Sequence, residues 1–304
     1  MKFDELTYPD RAIGYLAGRL VDGTLVLFLG SGTSSGAGLP NWRVLVKLIR
    51  KEVGLRGKPL DDSAKTLQTA ADEARQKFGG DDKGFAAVVR KCLYQGKSLE
   101  ESLVYDDLLV SLGALMMGSR RGTVRRVVTL NFDSVLEYYL SLCGYVSRVV
   151  TQPPVDEGAE DVRVYHPHGF LPHPDQKSKS SDFVILGLKS VNERIGSEHD
   201  PWFEMVRHLL LSGTALFVGL SENSFRDAAL APLLANVSRQ INRRRPTGFW
   251  LLPGKSAIIK TVRQEFLDYG VVPLGLETFQ EVPKFLLKVC QRAANLHADR
   301  QLAI

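Results

Sequence analysis

Four runs in this sequence combine residue types and spacings that could do chemistry. The first is Gly30-Ser31-Gly32-Thr33-Ser34-Ser35-Gly36-Ala37-Gly38-Leu39-Pro40-Asn41-Trp42-Arg43, which follows an apolar stretch of strand length. Small residues after a buried strand let a backbone come close to a pyrophosphate, and successive N–H groups can donate to its oxygens. Gly30 and Gly32 fit G-x-G, but Ser35 stands where a dinucleotide fingerprint has its third glycine, and no Lys-Ser/Thr ending marks a P-loop. A flexible turn is the alternative, yet four glycines within nine residues are dense for an idle connection. Trp42 fits either the core or a lid over a ring. Arg43 is placed to neutralise phosphate or to pair with a carboxylate in the loop.

The second run is Thr129-Leu130-Asn131-Phe132-Asp133, where an apolar stretch gives way to a helical pattern. Asn and Asp at that position serve as helix caps. Residues at the carboxyl ends of strands also face the ligand crevice of an open α/β sheet. The third run, Tyr165-His166-Pro167-His168-Gly169, offers an imidazole that titrates near neutrality and can act as a general base. In an extended segment residues two apart point the same way, so His166 and His168 are both expected at the crevice, with His166 able to support the tautomer of His168. The fourth, Phe217-Val218-Gly219-Leu220-Ser221, places a hydroxyl and neighbouring N–H groups where they could bind phosphate or ribose. Asn223 and Ser224 are expected to cap the helix that follows.

These runs need elements to hold them. Apolar, mostly continuous stretches at 24–29, 126–130, 145–150, 162–165, 215–218, 248–252 and 271–274 read as strands buried on both faces of a parallel sheet. Helical spacing appears at 44–53, 133–143, 201–212, 225–242, 256–269 and 280–294. The alternation predicts an α/β fold with a doubly wound parallel sheet. Between 60 and 117 only helical pattern is found (64–78, 85–94 and 105–117), which reads as a helical insertion or small subdomain within one domain spanning 1–304. The stretch 172–181 is expected to be an exposed, mobile loop.

Composition removes several classes. With 304 residues, 44% apolar and 24% charged, the chain has ample material for a core without disulfides or metal. No apolar run approaches the roughly 20 residues of a membrane span, and the N-terminus lacks a secretory layout, so a cytoplasmic protein is expected. Cys92, Cys143 and Cys290 are too scattered for a disulfide framework or a zinc knuckle. The net charge of +5 is modest, and its densest cluster, Arg243-Arg244-Arg245, reads as solvated surface or as a contact for phosphate or an acidic partner. Nothing interleaves bases with aromatics as a nucleic-acid groove would, and no sequence-specific nucleic-acid binding is expected.

Taken in order, the four runs resemble the sirtuin signature. The first is similar to its Gly-Ala-Gly-x-Ser turn, Gly-Ile-Pro and acidic-aromatic-Arg triplet, with Ser31 for the alanine and Asn41-Trp42-Arg43 for the triplet. The others resemble its Thr-x-Asn-x-Asp, its His-Gly and its later Gly-x-Ser, and Asp227 lies later than the family's following aspartate. The resemblance implies a Rossmann-like sirtuin fold and NAD as substrate. It implies binding by Gly30, Ser31, Gly32, Thr33, Ser34, Pro40, Trp42, Arg43, Gly219 and Ser221. Asn131 would hold the nicotinamide ribose and the attacking water, Asp133 would contact the carboxamide, and His168, preferred over His166 because Gly169 follows it, would be the base. Cleaving the nicotinamide–ribose bond develops oxocarbenium character, which such a site suits without a metal. Deacetylating sirtuins carry two Cys-x-x-Cys pairs in a zinc module; this chain has none, so no zinc ribbon is expected and water replaces acetyl-lysine as acceptor. The insertion and Trp42 look like bacterial sirtuin-like effectors of anti-phage defence, which deplete NAD. Control by homo-oligomerisation or by a partner such as a HerA-like ATPase or an Argonaute-type protein would follow. An NAD-consuming deacylase or ADP-ribosyltransferase and a non-enzymatic NAD-binding or ADP-ribose-binding module are the alternatives.

Overall fold

All seven stretches that read as strands pair side by side, every neighbour parallel. The structure, a computed structural model, describes residues 3–55, 61, 63–153, 158–176, 183–186, 200–225, 230–241, 245–254 and 264–302. At the centre lies β1 (Leu25–Leu29), flanked by β2 (Arg126–Thr129) and β7 (Thr214–Val218). Beyond β2 come β4 (Val162–Tyr165) and β3 (Ser147–Val150); beyond β7 come β8 (Gly248–Pro253) and β9 (Val271–Leu276). The order β3-β4-β2-β1-β7-β8-β9 reverses at β1, which makes the sheet doubly wound and puts a switch point beside that strand.

Alternate side chains of β1 serve two cores. Leu25, Leu27 and Leu29 pack beneath α1 (Pro9–Val21), α5 (Asp107–Met116), α6 (Val135–Leu142) and α9 (Glu281–Leu302). Val26 and Phe28 face α7 (Pro201–Ser212) and α8 (Leu230–Gln240). Burial on both faces is why these strands read as unbroken apolar runs. The helix α1 was not anticipated, although Ala12, Ile13, Leu16, Ala17 and Leu20 lie at helical spacing and are buried.

A third, smaller core joins α2 (Trp42–Glu52), α3 (Ala64–Gln76) and α4 (Asp82–Tyr94), through residues such as Ile49, Ala74, Phe85 and Val89. The helical region 60–117 therefore serves two cores, because α5 packs on α9 against the main sheet. Phe132, Leu171 and Val184 also enter the third core, which sets it against the ends of the strands.

Two features depart from expectation. The stretch from 172 is not exposed at its start: Leu171 and His173 are buried, and His173 Nε2 donates to the Lys97 carbonyl at 2.6 Å. It follows a short antiparallel pair, β5 (Gly169–Phe170) and β6 (Phe183–Val184), while residues 177–181 lie outside the described residues. Arg245 is not simply part of a solvated surface. Its guanidinium is half-buried and donates to the carbonyls of Leu210, Leu211 and Gly213, capping the negative end of α7. Arg243 and Arg244 lie outside the described residues. Among the described residues no helix is long and apolar enough to cross a membrane, and no cluster of three or more His, Cys, Asp or Glu side chains could hold a metal.

Candidate active site

The chain leaves β1 through a single 3-10 turn, Ser31–Ser34, which lies directly on the loop that leaves β7. Gly30 N–H donates to the Val218 carbonyl and Gly32 N–H to the Gly219 carbonyl, both at 3.0 Å. A Cβ at Gly30 would stand 2.6 Å from the Gly219 oxygen, and one at Gly32 2.9 Å from the Gly219 Cα. The smallness of these residues, expected to serve a ligand, is used to let two loops lie backbone against backbone.

Behind that contact is a buried polar cluster. Thr33 Oγ1 donates to the Gly30 carbonyl at 2.8 Å, and Ser34 Oγ lies 2.9 Å from both carboxyl oxygens of Asp133. Asn131 Nδ2 faces the Gly30 carbonyl at 3.1 Å, Thr33 Oγ1 at 3.2 Å and Ser34 Oγ at 3.1 Å. A carbonyl only accepts, so the amide's orientation is fixed by Gly30. Asp133 takes the Val135 N–H at 3.1 Å as well, so capping α6 and facing the cleft are both true of it.

Burial pushes the Asp133 carboxyl from 3.8 up to about 6, against the lowering effect of the Val135 N–H and Ser34 hydrogen bonds; the nearby Glu137 carboxyl raises it further, and His166 lowers it. The folded protein thus holds this proton more tightly than the unfolded chain. Its contribution is fully present below the unfolded value and is lost as pH rises through the folded one, at a cost of roughly 3 kcal/mol. Asp133→Asn is therefore expected to raise the unfolding midpoint relative to the wild type at about pH 7.5, and the gap should close near pH 4. Urea unfolding across that range checks it; a gap that does not change with pH would remove the argument.

His166 and His168 do not share a side. A turn closed by Gly169 N–H on the His166 carbonyl at 3.1 Å, with Gly169 at φ +108°, breaks the extended alternation between them. His166 is completely buried: Nδ1 lies 3.1 Å from the Asn131 carbonyl oxygen and Nε2 2.7 Å from Glu137 Oε1. His168 lines the cleft, its carbonyl accepting the Ile185 N–H at 2.7 Å. Its ring stacks on Phe132 with centroids 6.4 Å apart, and Phe132 in turn meets Trp42 at 6.3 Å. These aromatic contacts fall within the favourable range.

The cleft has a volume of about 450 Å³ and lies over the carboxyl ends of β1, β2, β4 and β7, a size typical of small-molecule sites. Gly30, Ser31, Pro40, Trp42, Arg43, Asn131, Asp133, His168 and Ser221 line it; Gly32, Thr33, Ser34 and Gly219 stand behind its wall. Ser221 caps the short turn Glu222–Phe225, since its Oγ accepts the Ser224 N–H at 3.2 Å; residues 226–229, between that turn and the helix that Asn223 and Ser224 were expected to cap, lie outside the described residues. Asp227 lies outside the described residues.

Sequence reasoning missed the wall made by Leu45, Leu67, Gln68 and Leu93, because these residues read as ordinary helix stripes. It also missed Tyr94. The Tyr94 hydroxyl donates to the Leu171 carbonyl at 2.8 Å and accepts the Ser134 N–H at 3.0 Å, tying α4 to the turn that carries Asp133. Burial drives this phenol well above its ordinary range.

A family model described as SIR2-like domain matches residues 125–274. The chain carries a SIR2-like domain. No curated protein matches the chain. The SIR2-like match runs from the start of β2 into β9 and takes in Asn131, Asp133, His168, Gly219 and Ser221, leaving β1 and its glycine-rich loop outside. Because β1 hydrogen-bonds to both β2 and β7, residues outside the match complete the sheet of the SIR2-like domain. The SIR2-like family uses NAD, and the cleft offers glycine backbone, Arg43 and an aromatic row from Trp42 through Phe132 to His168.

Proposed function

We propose that this chain is an NAD glycohydrolase that cleaves the nicotinamide–ribose bond and passes the ribosyl group to water. One observation carries the reading: Asn131 and Asp133 from the end of β2 and His168 from beyond β4 line a single cleft at the switch point of the sheet. The bond between the ribose anomeric carbon and the nicotinamide nitrogen breaks, and its electron pair leaves with nicotinamide. Water adds to the anomeric carbon while His168 takes its proton. Asp133 places a carboxylate near the developing positive charge, in a buried setting where such an interaction is strong. Asn131, held from behind by Gly30, Thr33 and Ser34, orients ribose and water. The three widely spaced cysteines offer no Cys-x-x-Cys pair, which supports water over an acyl-lysine as acceptor.

The role we infer is depletion of NAD in anti-phage defence, restrained by homo-oligomerisation or by a separate partner such as a HerA-like ATPase or an Argonaute-type protein. A second reading is favoured by the internal hydrogen bonds of Asn131 and Asp133: a module that binds NAD or ADP-ribose without turnover.

The test is incubation with NAD, alone and with candidate partners, resolving nicotinamide, ADP-ribose and cyclic ADP-ribose. Equal amounts of nicotinamide and ADP-ribose are expected. His168→Ala should slow their release by roughly 10²–10⁴-fold at an unchanged melting temperature. A modified acceptor with little free ADP-ribose would instead make the protein a transferase. Binding without release under every condition would leave only the binding module.

A further inference from the structure

Glu137 belongs to none of the four runs, yet it is only 8% exposed and lies on α6 about one turn beyond Asp133. Its Oε1 meets His166 Nε2 at 2.7 Å, and no described residue donates to Oε2. The proton count follows from the partners. The Asn131 carbonyl only accepts, so His166 Nδ1 carries a hydrogen. At the other nitrogen a contact this short needs one more hydrogen, written either as Nε2–H donating to a carboxylate or as a carboxylic acid donating to bare Nε2. Both forms hold the same two protons and leave the pair neutral. Losing the second proton would set a lone pair against a carboxylate in a buried place, which is costly.

Neutrality matters because Asp133 and Glu137 both line a small cavity of about 10 Å³ next to the cleft, together with Thr33, Ser34 and Asn131. Asp133 from the β2–α6 turn and Tyr94 from α4 are the titratable groups that sense Glu137. His166 also opens the turn that carries His168, its carbonyl accepting the Gly169 N–H. One imidazole thereby joins the loop after β2 to the loop after β4.

We propose that Glu137 is a positioning residue: through one proton shared with His166 it clamps the Asn131 peptide to the turn bearing His168, and so holds the two cleft groups in register. The role in turnover rests on the glycohydrolase reading above; the clamp itself does not.

Two variants separate the possibilities. Glu137→Gln can donate its amide hydrogen to bare Nε2 and keep the clamp, whereas Glu137→Leu leaves Nε2 without a partner. For nicotinamide release, Glu137→Leu should lower kcat about a hundredfold with KM for NAD within about threefold, the pattern of misplaced rather than missing groups. Glu137→Gln should return kcat to within about threefold of the wild type, since the hydrogen bond is kept.

Nitrogen-15 spectra of the ligand-free protein test the clamp without any turnover. In the wild type Nδ1 should carry a hydrogen facing the Asn131 carbonyl, with the second proton shared between Nε2 and Glu137. In Glu137→Gln, Nδ1 should stay protonated and Nε2 become bare. An unprotonated Nδ1 in the wild type or in Glu137→Gln, or a folded Glu137→Leu with wild-type kcat, would each overturn the proposal. The Glu137→Gln spectrum decides the clamp even where Glu137→Leu does not fold. Absence of nicotinamide release from the wild type, with the ring spectra as expected, would count against the glycohydrolase reading and leave the clamp standing.

Discussion

Asn131→Ala is expected to lower nicotinamide release by about a thousandfold, the upper range for removing one preorganised polar group from a reacting centre. The structure makes this amide a hub as well as a contact. Its Nδ2, with two hydrogens, stands within hydrogen-bond distance of acceptors on Gly30, Thr33 and Ser34, and the Ser34 hydroxyl in turn lies 2.9 Å from both oxygens of Asp133. Truncation removes that donor and loosens the carboxylate beside it. It also leaves buried acceptors short of a partner, which costs roughly 1–3 kcal/mol of stability. The two effects separate if the unfolding midpoint and single-turnover kinetics are measured on one preparation. A folded Asn131→Ala enzyme within about tenfold of the wild type would remove Asn131 from the chemistry and leave it a structural residue.

The second large effect falls on folding. Gly219 sits at φ +71°, and a Cβ there would stand 2.8 Å from Thr33 N and 3.1 Å from the Gly30 oxygen. Neither atom can retreat easily, because Thr33 N–H donates to the Gly30 carbonyl at 2.9 Å and Gly30 is paired with Val218. Gly219→Ala is therefore expected to cost about 2–4 kcal/mol, backbone strain plus a collision between two loops. Gly23 is the control: its φ is +65°, and a Cβ there would meet nothing within 4 Å. Gly23→Ala carries the strain alone, about 1 kcal/mol. Urea unfolding of both variants reads the difference. Equal losses would mean that the loop after β7 gives way, and that the glycines of the two loops do not depend on each other.

How much of this was legible depends on whether the relevant neighbour was near in sequence. The seven strands could be read because burial on both faces writes itself as an uninterrupted apolar run, as in Leu25–Leu29. The two-residue strands β5 and β6 have no room for a period, so the hairpin that holds His168 left no trace. Asn131, Asp133 and His168 stood out as polar residues at strand ends, where Asn131 and Asp133 read equally as helix caps, and the resemblance singled them out; the three line one cleft. Glu137 was not found: a charge within a helix reads as solvent-facing, and its partner His166 comes 29 positions later. The glycine density after β1 was visible, but not its cause, since Gly219 lies far along the chain.

The Tyr94 bridge has a consequence for how the cleft breathes. Ser134 N–H is satisfied by a side chain from α4, an element of the separate small core, rather than by its own helix. Deuterium from solvent can replace that hydrogen once the Tyr94 contact opens, which a local separation of α4 from the strand ends achieves without global unfolding. The exchange rate of one amide is thus a clock for the roof of the site, readable without ligand or turnover.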